Sequence, residues 1–298
     1  MSPYSIWILE YAHIPDFPVS GIKYGIHNEG VRKLPYCYVL IKGNGRTIMV
    51  DVGYNHRDYG QALAGQFGVT NWHSAREVLA QCDVTPEDID TVFVTHAHFD
   101  HFGNTDAFPN ARFYLQEREL SKWIWAMALP DRLNWTRTGL DPSDILRAVE
   151  LARQGRLICV DGEMEDVAPG IDLRVAFDSH TFGCMWVHVR NDLAAVAHNS
   201  WVLAGDLVYV YDNMVANPQI INSDITGTLD YRPVGLAQNS NTNLVLATEE
   251  MLKAVDYEVK RVIPVHEDRL SEVFPTRVTD KNLRIMQVCL AEGEQSRV

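Results

Sequence analysis

The chain has 298 residues, and its 39 acidic side chains outnumber its 26 lysines and arginines, giving a formal charge of −13 at pH 7. Hydrophobic residues make up 46% and charged residues 22%, which excludes a disordered or collagen-like chain. No run approaches the roughly 18 consecutive apolar residues of a membrane helix. The cations are scattered, which argues against a nucleic-acid partner because phosphate backbones bind clustered Lys and Arg.

The cysteines and the N-terminus point to the same kind of protein. The five cysteines form no CxxC pair, so neither a thiolate zinc site nor a disulfide framework is expected. The first twenty residues lack a basic region followed by an apolar one, which is the pattern of a signal peptide. We therefore expect a reduced, cytoplasmic protein without a membrane partner.

The first half of the chain alternates β-rich and helical patterns. Apolar and β-branched runs predict strands at 36–41, 47–52, 91–95 and 112–115. Helices or helical turns are predicted at 74–81, 85–90, 117–127 and from about 141 onward. The start of the last helix is marked by Asp141, an N-cap residue that precedes Pro142.

The second half repeats the sheet pattern. Strands are predicted at 157–160, 171–177, 185–189, 201–204 and 261–265. Helices are predicted at 243–255 and over the tail, 275–290. Two β-rich halves, each followed by helices, indicate an α/β fold with two sheets packed face to face and helices outside. No boundary marks the beginning of a second domain.

The most informative stretch is Thr-His-Ala-His-Phe-Asp-His at 95–101, directly after a predicted buried strand. Three imidazoles and a carboxylate in so short a segment are hard to explain as packing, whereas they are ligands that zinc accepts. A loop after a strand can turn two histidines toward one ion and an Asp-His pair toward a second. The stretch therefore predicts a metal site formed by His96, His98, Asp100 and His101.

This HxHxDH run resembles the signature of the metallo-β-lactamase superfamily, and the resemblance covers nearly the whole chain. Its other elements appear in order: Asp-x-Gly at 51–53, His-Thr-x-Gly at 180–183, an Asp after a strand at 206, and a late His at 266. The resemblance implies a four-layer αβ/βα sandwich in a single domain, 1–298. It also implies one metal held by His96, His98 and His180, a second held by Asp100, His101 and His266, and Asp206 as the bridge.

The resemblance implies two zinc ions per chain, and iron, manganese or cobalt accept the same donors. Such a centre polarises a bond as a Lewis acid and deprotonates water near neutral pH, which suits hydrolysis. Asp100 matches the family residue that also relays a proton to the leaving group. Asp51 is expected to accept a hydrogen bond from a ligand imidazole and so to fix its tautomer.

The branch of the superfamily is indicated by Tyr209, three residues after Asp206. The N-acyl homoserine lactonase-like branch has a tyrosine at this spacing, where it hydrogen-bonds the substrate carbonyl or its developing oxyanion. Packing beside Tyr211 is the alternative explanation. The sequence thus favours a hydrolase in which a metal-bound hydroxide opens a lactone, such as an acyl homoserine lactone. The alternatives are a phosphodiesterase, cyclic-amide hydrolase or thioesterase, and a non-catalytic metal-binding protein.

An aromatic-rich insertion is expected near 121–151. It includes four large side chains, Trp123, Trp125, Met127 and Trp135. One interpretation is an apolar wall of the substrate pocket, suited to a hydrophobic or ring-containing small molecule. The other is packing of Trp123 and Met127, four residues apart, into the core. An exposed aromatic face would equally serve a homodimer. A further loop at the same rim is expected over 213–243.

Overall fold

The computed structural model describes residues 2–27 and 29–298. The strands in chain order are β1 (Tyr4–Pro18), β2 (Val31–Gly43), β3 (Arg46–Val50), β4 (Thr91–Phe93), β5 (Arg112–Gln116), β6 (Leu157–Val160), β7 (Met164–Ala168), β8 (Ile171–Phe177), β9 (Gly183–Arg190), β10 (Ser200–Leu203), β11 (Val215–Ile221), β12 (Asp224–Leu229), β13 (Val262–Ile263), β14 (Thr276–Val278) and β15 (Arg284–Cys289). The α-helices are α1 (Val19–Ile22), α2 (Asp58–Phe67), α3 (Ala75–Leu79), α4 (Phe99–Phe102), α5 (Glu117–Met127), α6 (Pro142–Arg153), α7 (Asn241–Lys253) and α8 (Leu270–Val273).

The first sheet has the strand order β14-β15-β1-β2-β3-β4-β5-β6. Strands β3 to β6 run parallel to one another, and helical segments connect them in sequence. Because parallel strands buried on both faces need an apolar run rather than alternation, the short β-branched segments of β3 and β4 suit these positions. The carboxyl ends of β3, β4 and β5 therefore meet at one edge of the sheet.

The second sheet has the order β13-β10-β9-β8-β7 and is antiparallel except for the parallel pair β10 and β13. Buried side chains of both sheets form one continuous hydrophobic core, including Trp7 and Leu40 from the first sheet and Val187 and Val202 from the second. The expected α/β architecture, a four-layer αβ/βα sandwich, is confirmed. The ends of β10 and β13 lie at the same edge as the start of β9.

The prediction of a helix over 275–290 is wrong. This segment forms β14 and β15, and β15 pairs with the first strand through Ile8 opposite Met286 and Leu9 opposite Ile285. The apolar residues of the tail fit either period, and pairing with the otherwise unpaired edge of β1 decides in favour of a strand. Strand β1 itself was not predicted, because its first nine residues are all buried and show no alternation.

The segments predicted as an insertion and as a rim loop also have defined structure. Helices α5 and α6 flank a 3₁₀ stretch, Asp131–Arg137, and pack against each other. Within 213–243, strands β11 and β12 form a separate two-stranded sheet, and the following segment runs without regular structure to α7. Among the helices of the described chain, none combines the length and the apolar character that crossing a membrane requires.

Candidate metal centre

The fold brings the predicted metal-binding residues to one edge shared by the two sheets. His96 and His98 follow β4, and the short helix α4 carries Asp100 and His101. His180 lies between β8 and β9, Asp206 follows β10, and His266 follows β13. Strand direction explains this convergence. His180 precedes the start of β9, which runs antiparallel to β10, and the other residues follow the carboxyl ends of β4, β10 and β13 at the same edge.

The side chains form two groups. In each group the donor atoms lie within 4.8 Å of one another. The groups are His96, His98, His180 and Asp206, and Asp100, His101 and His266. This division is the one that the sequence resemblance implies.

Asp206 lies between the two groups and presents one oxygen to each. Its Oδ2 is 3.3 Å from His180 Nε2 and 3.7 Å from His96 Nε2. Its Oδ1 is 3.0 Å from His101 Nε2 and 3.1 Å from His266 Nε2. This is the arrangement that a carboxylate needs in order to bridge two ions.

The residues present fit a pair of metal ions. His96 Nε2, His101 Nε2 and Asp206 Oδ1 are buried and make no hydrogen bond within the described chain. Buried polar atoms without a partner are costly, and here they point toward one another. Coordination of cations by these nitrogen and carboxylate oxygen atoms would remove that cost.

The protonation states of His96 and Asp206 also suit metal binding. Burial and the neighbouring imidazoles hold the pKa of His96 well below its ordinary value, so this ring is neutral at pH 7. Burial alone would raise the pKa of Asp206, but the adjacent His101 and His266 outweigh it and keep the pKa well below its ordinary value. A neutral imidazole and an ionised carboxylate are the forms that coordinate a cation.

Asp51 holds His101 in position. Its carboxylate accepts hydrogen bonds from Thr95 N at 2.7 Å, Thr95 Oγ1 at 2.8 Å and His101 Nδ1 at 2.8 Å. The Nδ1 proton of His101 is therefore directed to Asp51, and Nε2 faces the centre. Beside it, Gly205 has φ +53°, and an added Cβ would lie 2.6 Å from Thr95 Oγ1, so glycine allows the two loops to approach.

Tyr209 contacts one histidine of each group. Its ring centroid is 4.8 Å from that of His266 and 5.7 Å from that of His180. Burial, reinforced by Asp206 and Asp100, raises the pKa of Tyr209 well above its ordinary value. The phenol therefore keeps its proton at neutral pH and is available as a hydrogen-bond donor.

A cavity of about 480 Å³ opens beside these residues. Its polar floor includes His98, Asp100, Asp206, Tyr209 and His266. Its apolar walls include Phe17, Leu34, Phe67, Trp135 and Leu236. The volume is within the range of roughly 300–1,000 Å³ that small-molecule sites occupy.

The prediction that the aromatic insertion lines the cavity needs correction for three of its four residues. Trp135 lies at the cavity mouth with 68% of its surface exposed. Trp123 is fully buried behind His98, Trp125 is half exposed against Phe182, and Met127 packs on the core. Within the insertion, the cavity is lined by the segment after α5, which includes Trp135 and Gly139, and the remaining wall comes from segments distant in sequence.

Gln238 was not identified from the sequence. Its Oε1 lies 3.3 Å from His98 Nε2, and its side-chain amide donates to the carbonyl of Thr138 across the cavity rim. His98 Nδ1 is thereby left to face His180 Nε2, at 3.1 Å. A glutamine in an irregular segment carries no sequence signal for this contact.

The metallo-beta-lactamase superfamily model matches residues 32–185, more than half of the chain. The chain belongs to this superfamily. A curated relative is the N-acyl homoserine lactonase AiiB of Rhizobium rhizogenes, which is 25% identical over 189 residues. That match covers 60% of this chain and 65% of the relative, so the chain spans slightly less than two thirds of the relative's length.

Solved structures of the superfamily share the fold. AidC, described as a dizinc quorum-quenching lactonase in complex with a product, N-hexanoyl-L-homoserine, has a TM-score of 0.62 at 15% identity, covering 99% of this chain and 97% of its own. The hydrolase AbOPH has a TM-score of 0.64 at 17% identity, with coverage of 99% and 97%. At these identities the likeness shows the fold alone.

Proposed function

We propose that this protein is a metal-dependent hydrolase, a dinuclear lactonase with an N-acyl homoserine lactone or a related acylated lactone as its substrate. The observation that carries the proposal is that Tyr209 packs against His266 and lines the apolar-walled cavity together with Asp100 and Asp206. A donor beside a metal centre suits an ester carbonyl, and the adjoining apolar walls suit an acyl chain. The candidate metal ligands come from both halves of the sequence, which supports a single domain over 1–298.

Two zinc ions are the proposed cofactors, and iron, manganese or cobalt are the alternatives. The first position would be held by His96, His98 and His180, the second by Asp100, His101 and His266, with Asp206 shared. When bound, the ions supply Lewis acidity and a nucleophile derived from water at neutral pH.

The protein's own residues would then orient the substrate and manage protons. Tyr209 would donate a hydrogen bond to the ester carbonyl, and the same bond would strengthen as negative charge develops on that oxygen. Asp100 lines the cavity, and burial raises the pKa of its carboxyl above its ordinary value. A carboxyl of this kind suits proton transfer to the ring oxygen as the ester opens.

The apolar walls would bind the acyl chain and exclude water from it. Phe17 and Leu34 come from the N-terminal strands, Phe67 from α2, and Leu236 from the segment before α7. Trp135 lies at the open end of the cavity. Burial of apolar surface contributes about 25 cal/mol per Å², so longer chains are expected to bind more tightly until they pass the mouth.

The test is a substrate panel assayed by proton release in weak buffer. It contains acyl homoserine lactones of increasing chain length, an unacylated lactone, a thioester, a cyclic amide and bis-p-nitrophenyl phosphate. We expect ring opening of the acylated lactones, with KM falling as the chain lengthens. Phosphodiester, thioester or cyclic-amide turnover without lactone turnover would overturn the proposal. The Asp206→Asn variant is the control, and all turnover is expected to disappear in it.

A homodimer formed through the exposed face of the insertion stays a prediction. Trp125, Ile124, Leu146 and Val149 are exposed on α5 and α6. Sedimentation velocity of the wild type and of Trp125→Lys would show whether this face associates. A dimer that persists in the variant would contradict an interface at this position.

A further inference from the structure

Glu119 is a fully buried carboxylate on which four hydrogen-bond donors converge. Ala97 N donates at 2.9 Å and Trp123 Nε1 at 2.7 Å, both to Oε1. Thr181 Oγ1 donates at 2.8 Å, and Gly183 N donates to Oε2 at 2.5 Å. Within the described part of the chain, no Lys, Arg or His side chain forms an ion pair with it.

Three of these donors, Ala97 N, Thr181 Oγ1 and Gly183 N, belong to the two segments that carry the first group of histidines, and the fourth, Trp123, lies on α5 with Glu119 itself. Ala97 lies between His96 and His98, and Thr181 directly follows His180. Glu119 itself lies in the first turn of α5, immediately after β5 at the same edge of the sheet. One carboxylate thus joins the β4–α4 loop to the β8–β9 loop without being a ligand.

The backbone at Gly183 is shaped for this contact. An added Cβ would lie 2.4 Å from Glu119 N and 2.7 Å from Glu119 Cβ, distances that no side chain can occupy. The Thr-x-Gly sequence after His180 therefore has a physical reason: Thr181 supplies an O–H donor, and Gly183 supplies an N–H donor at a close approach. Burial raises the pKa of Glu119, and the four donors oppose that rise by favouring the ionised form.

We propose that Glu119 is a positioning residue that fixes the spacing of His96, His98 and His180, and thereby the affinity of the first metal position. The proposal rests on the metal centre of the proposed function. It predicts that loss of the carboxylate weakens one metal position and leaves the other intact, because His101, held by Asp51, and His266, held by the Pro35 carbonyl at 2.7 Å, make no contact with Glu119.

The experiment titrates metal-depleted protein with Co²⁺, whose visible absorption reports each bound equivalent. Glu119→Gln preserves side-chain size but turns an amide N–H₂ toward donors. We expect one Co²⁺ equivalent to bind on the order of 10–100-fold more weakly, the usual effect of losing a residue that orients a ligand. The other equivalent keeps its affinity. Glu119→Asp, which retains the charge, is expected to restore part of the loss.

Asp172→Asn is the matched control. Asp172 is also a buried carboxylate with several donors, from Arg190, Asp166 N and His188, but it lies on β8 and contacts none of the histidines of the candidate metal centre. We expect this variant to unfold more easily and still bind both Co²⁺ equivalents as the wild type does. If Glu119→Gln fails to fold, Thr181→Val removes a single donor with little change of shape and is expected to weaken the same equivalent several-fold.

Three results would overturn the proposal. The first is unchanged binding of both Co²⁺ equivalents in Glu119→Gln, or in Thr181→Val where Glu119→Gln does not fold. The second is equal weakening of both equivalents, and the third is the same selective loss in Asp172→Asn. Failure of the proposed function is a separate result, since it would appear as wild-type protein that binds two Co²⁺ and opens no lactone. Selective weakening in Glu119→Gln would support the positioning role in either case.

Discussion

The Asp51→Asn variant should bind metal more weakly at the position that His101 serves. Asparagine matches aspartate in size and tolerates the left-handed backbone at this residue, where φ is 62°. The fold should therefore survive the change. What changes is the atom that faces His101 Nδ1. Because Thr95 N donates to Oδ1 of Asp51, the amide oxygen of asparagine keeps that position, and its N–H₂ replaces Oδ2, which accepts the His101 proton at 2.8 Å.

The size of the effect follows from that single contact. An amide N–H₂ cannot accept the Nδ1 proton, so His101 must move the proton to Nε2, the atom that faces Asp206 and the centre. Metal binding must then displace this proton or break the new hydrogen bond. A hydrogen bond to a charged group contributes about 1.5–3 kcal/mol. We therefore expect affinity at this position to fall by about 10- to 100-fold, in line with the loss of comparable contacts elsewhere.

The assay measures lactone hydrolysis by metal-depleted protein in buffers of defined free Zn²⁺ concentration. Asp51→Asn should need about 10- to 100-fold more free Zn²⁺ for half-maximal activity and should recover most activity in excess zinc. Asp90→Asn is the control. Asp90 directly precedes the N-terminal end of β4, whereas the candidate ligands follow its C-terminal end, and its carboxylate pairs with Arg46. If Asp51→Asn has the same zinc dependence as the wild type, Asp51 does not orient His101 for metal binding.

Three further predictions follow from single contacts. Tyr209→Phe should lower kcat for lactones by about 100-fold at unchanged metal content, since one preorganised oxyanion donor is worth roughly 10²–10³ in rate; an unchanged kcat would assign Tyr209 to packing. Trp135→Ala should raise KM for a long-chain lactone about fivefold, corresponding to about 1 kcal/mol of apolar contact, and leave a short-chain lactone unaffected; equal effects on both would contradict a wall at the mouth. Burial raises the pKa of Asp172, but hydrogen bonds from His188 and Arg190 outweigh it and hold the pKa well below its ordinary value. Asp172→Asn should therefore lose about 1.5–3 kcal/mol at pH 7, where Arg190 loses its buried carboxylate partner and keeps only the exposed carboxylate of Asp166, and the deficit measured by urea unfolding should shrink as the pH falls below about 4; a deficit independent of pH would contradict this linkage.

The elements that the sequence predicted well are those whose signals are local. Helix α5 has the predicted bounds because its residues alternate buried and exposed positions with helical spacing. Strand β8 likewise spans the predicted residues. The prediction of a helix over 275–290 failed because the apolar spacing there suits both a helix and a strand. Pairing with β1, which lies at the other end of the chain, favours the strand.

The candidate site shows the same division. The ligands could be placed from motifs, since each follows a strand whose direction is fixed by the fold. The cavity wall could not, because Phe17, Phe67 and Leu236 are brought together only by the packing of three separate segments. Glu119 also carried no signal, because a glutamate at the start of a helix ordinarily indicates an exposed position.

The most direct test of a dinuclear lactonase activity is the rate at which metal-depleted protein opens an acyl homoserine lactone as Zn²⁺ is added. We expect no turnover without metal and a plateau once two equivalents per chain are bound, with Asp206→Asn inactive throughout. Full activity in the metal-depleted protein, or no lactone turnover in the zinc-saturated protein, would contradict it.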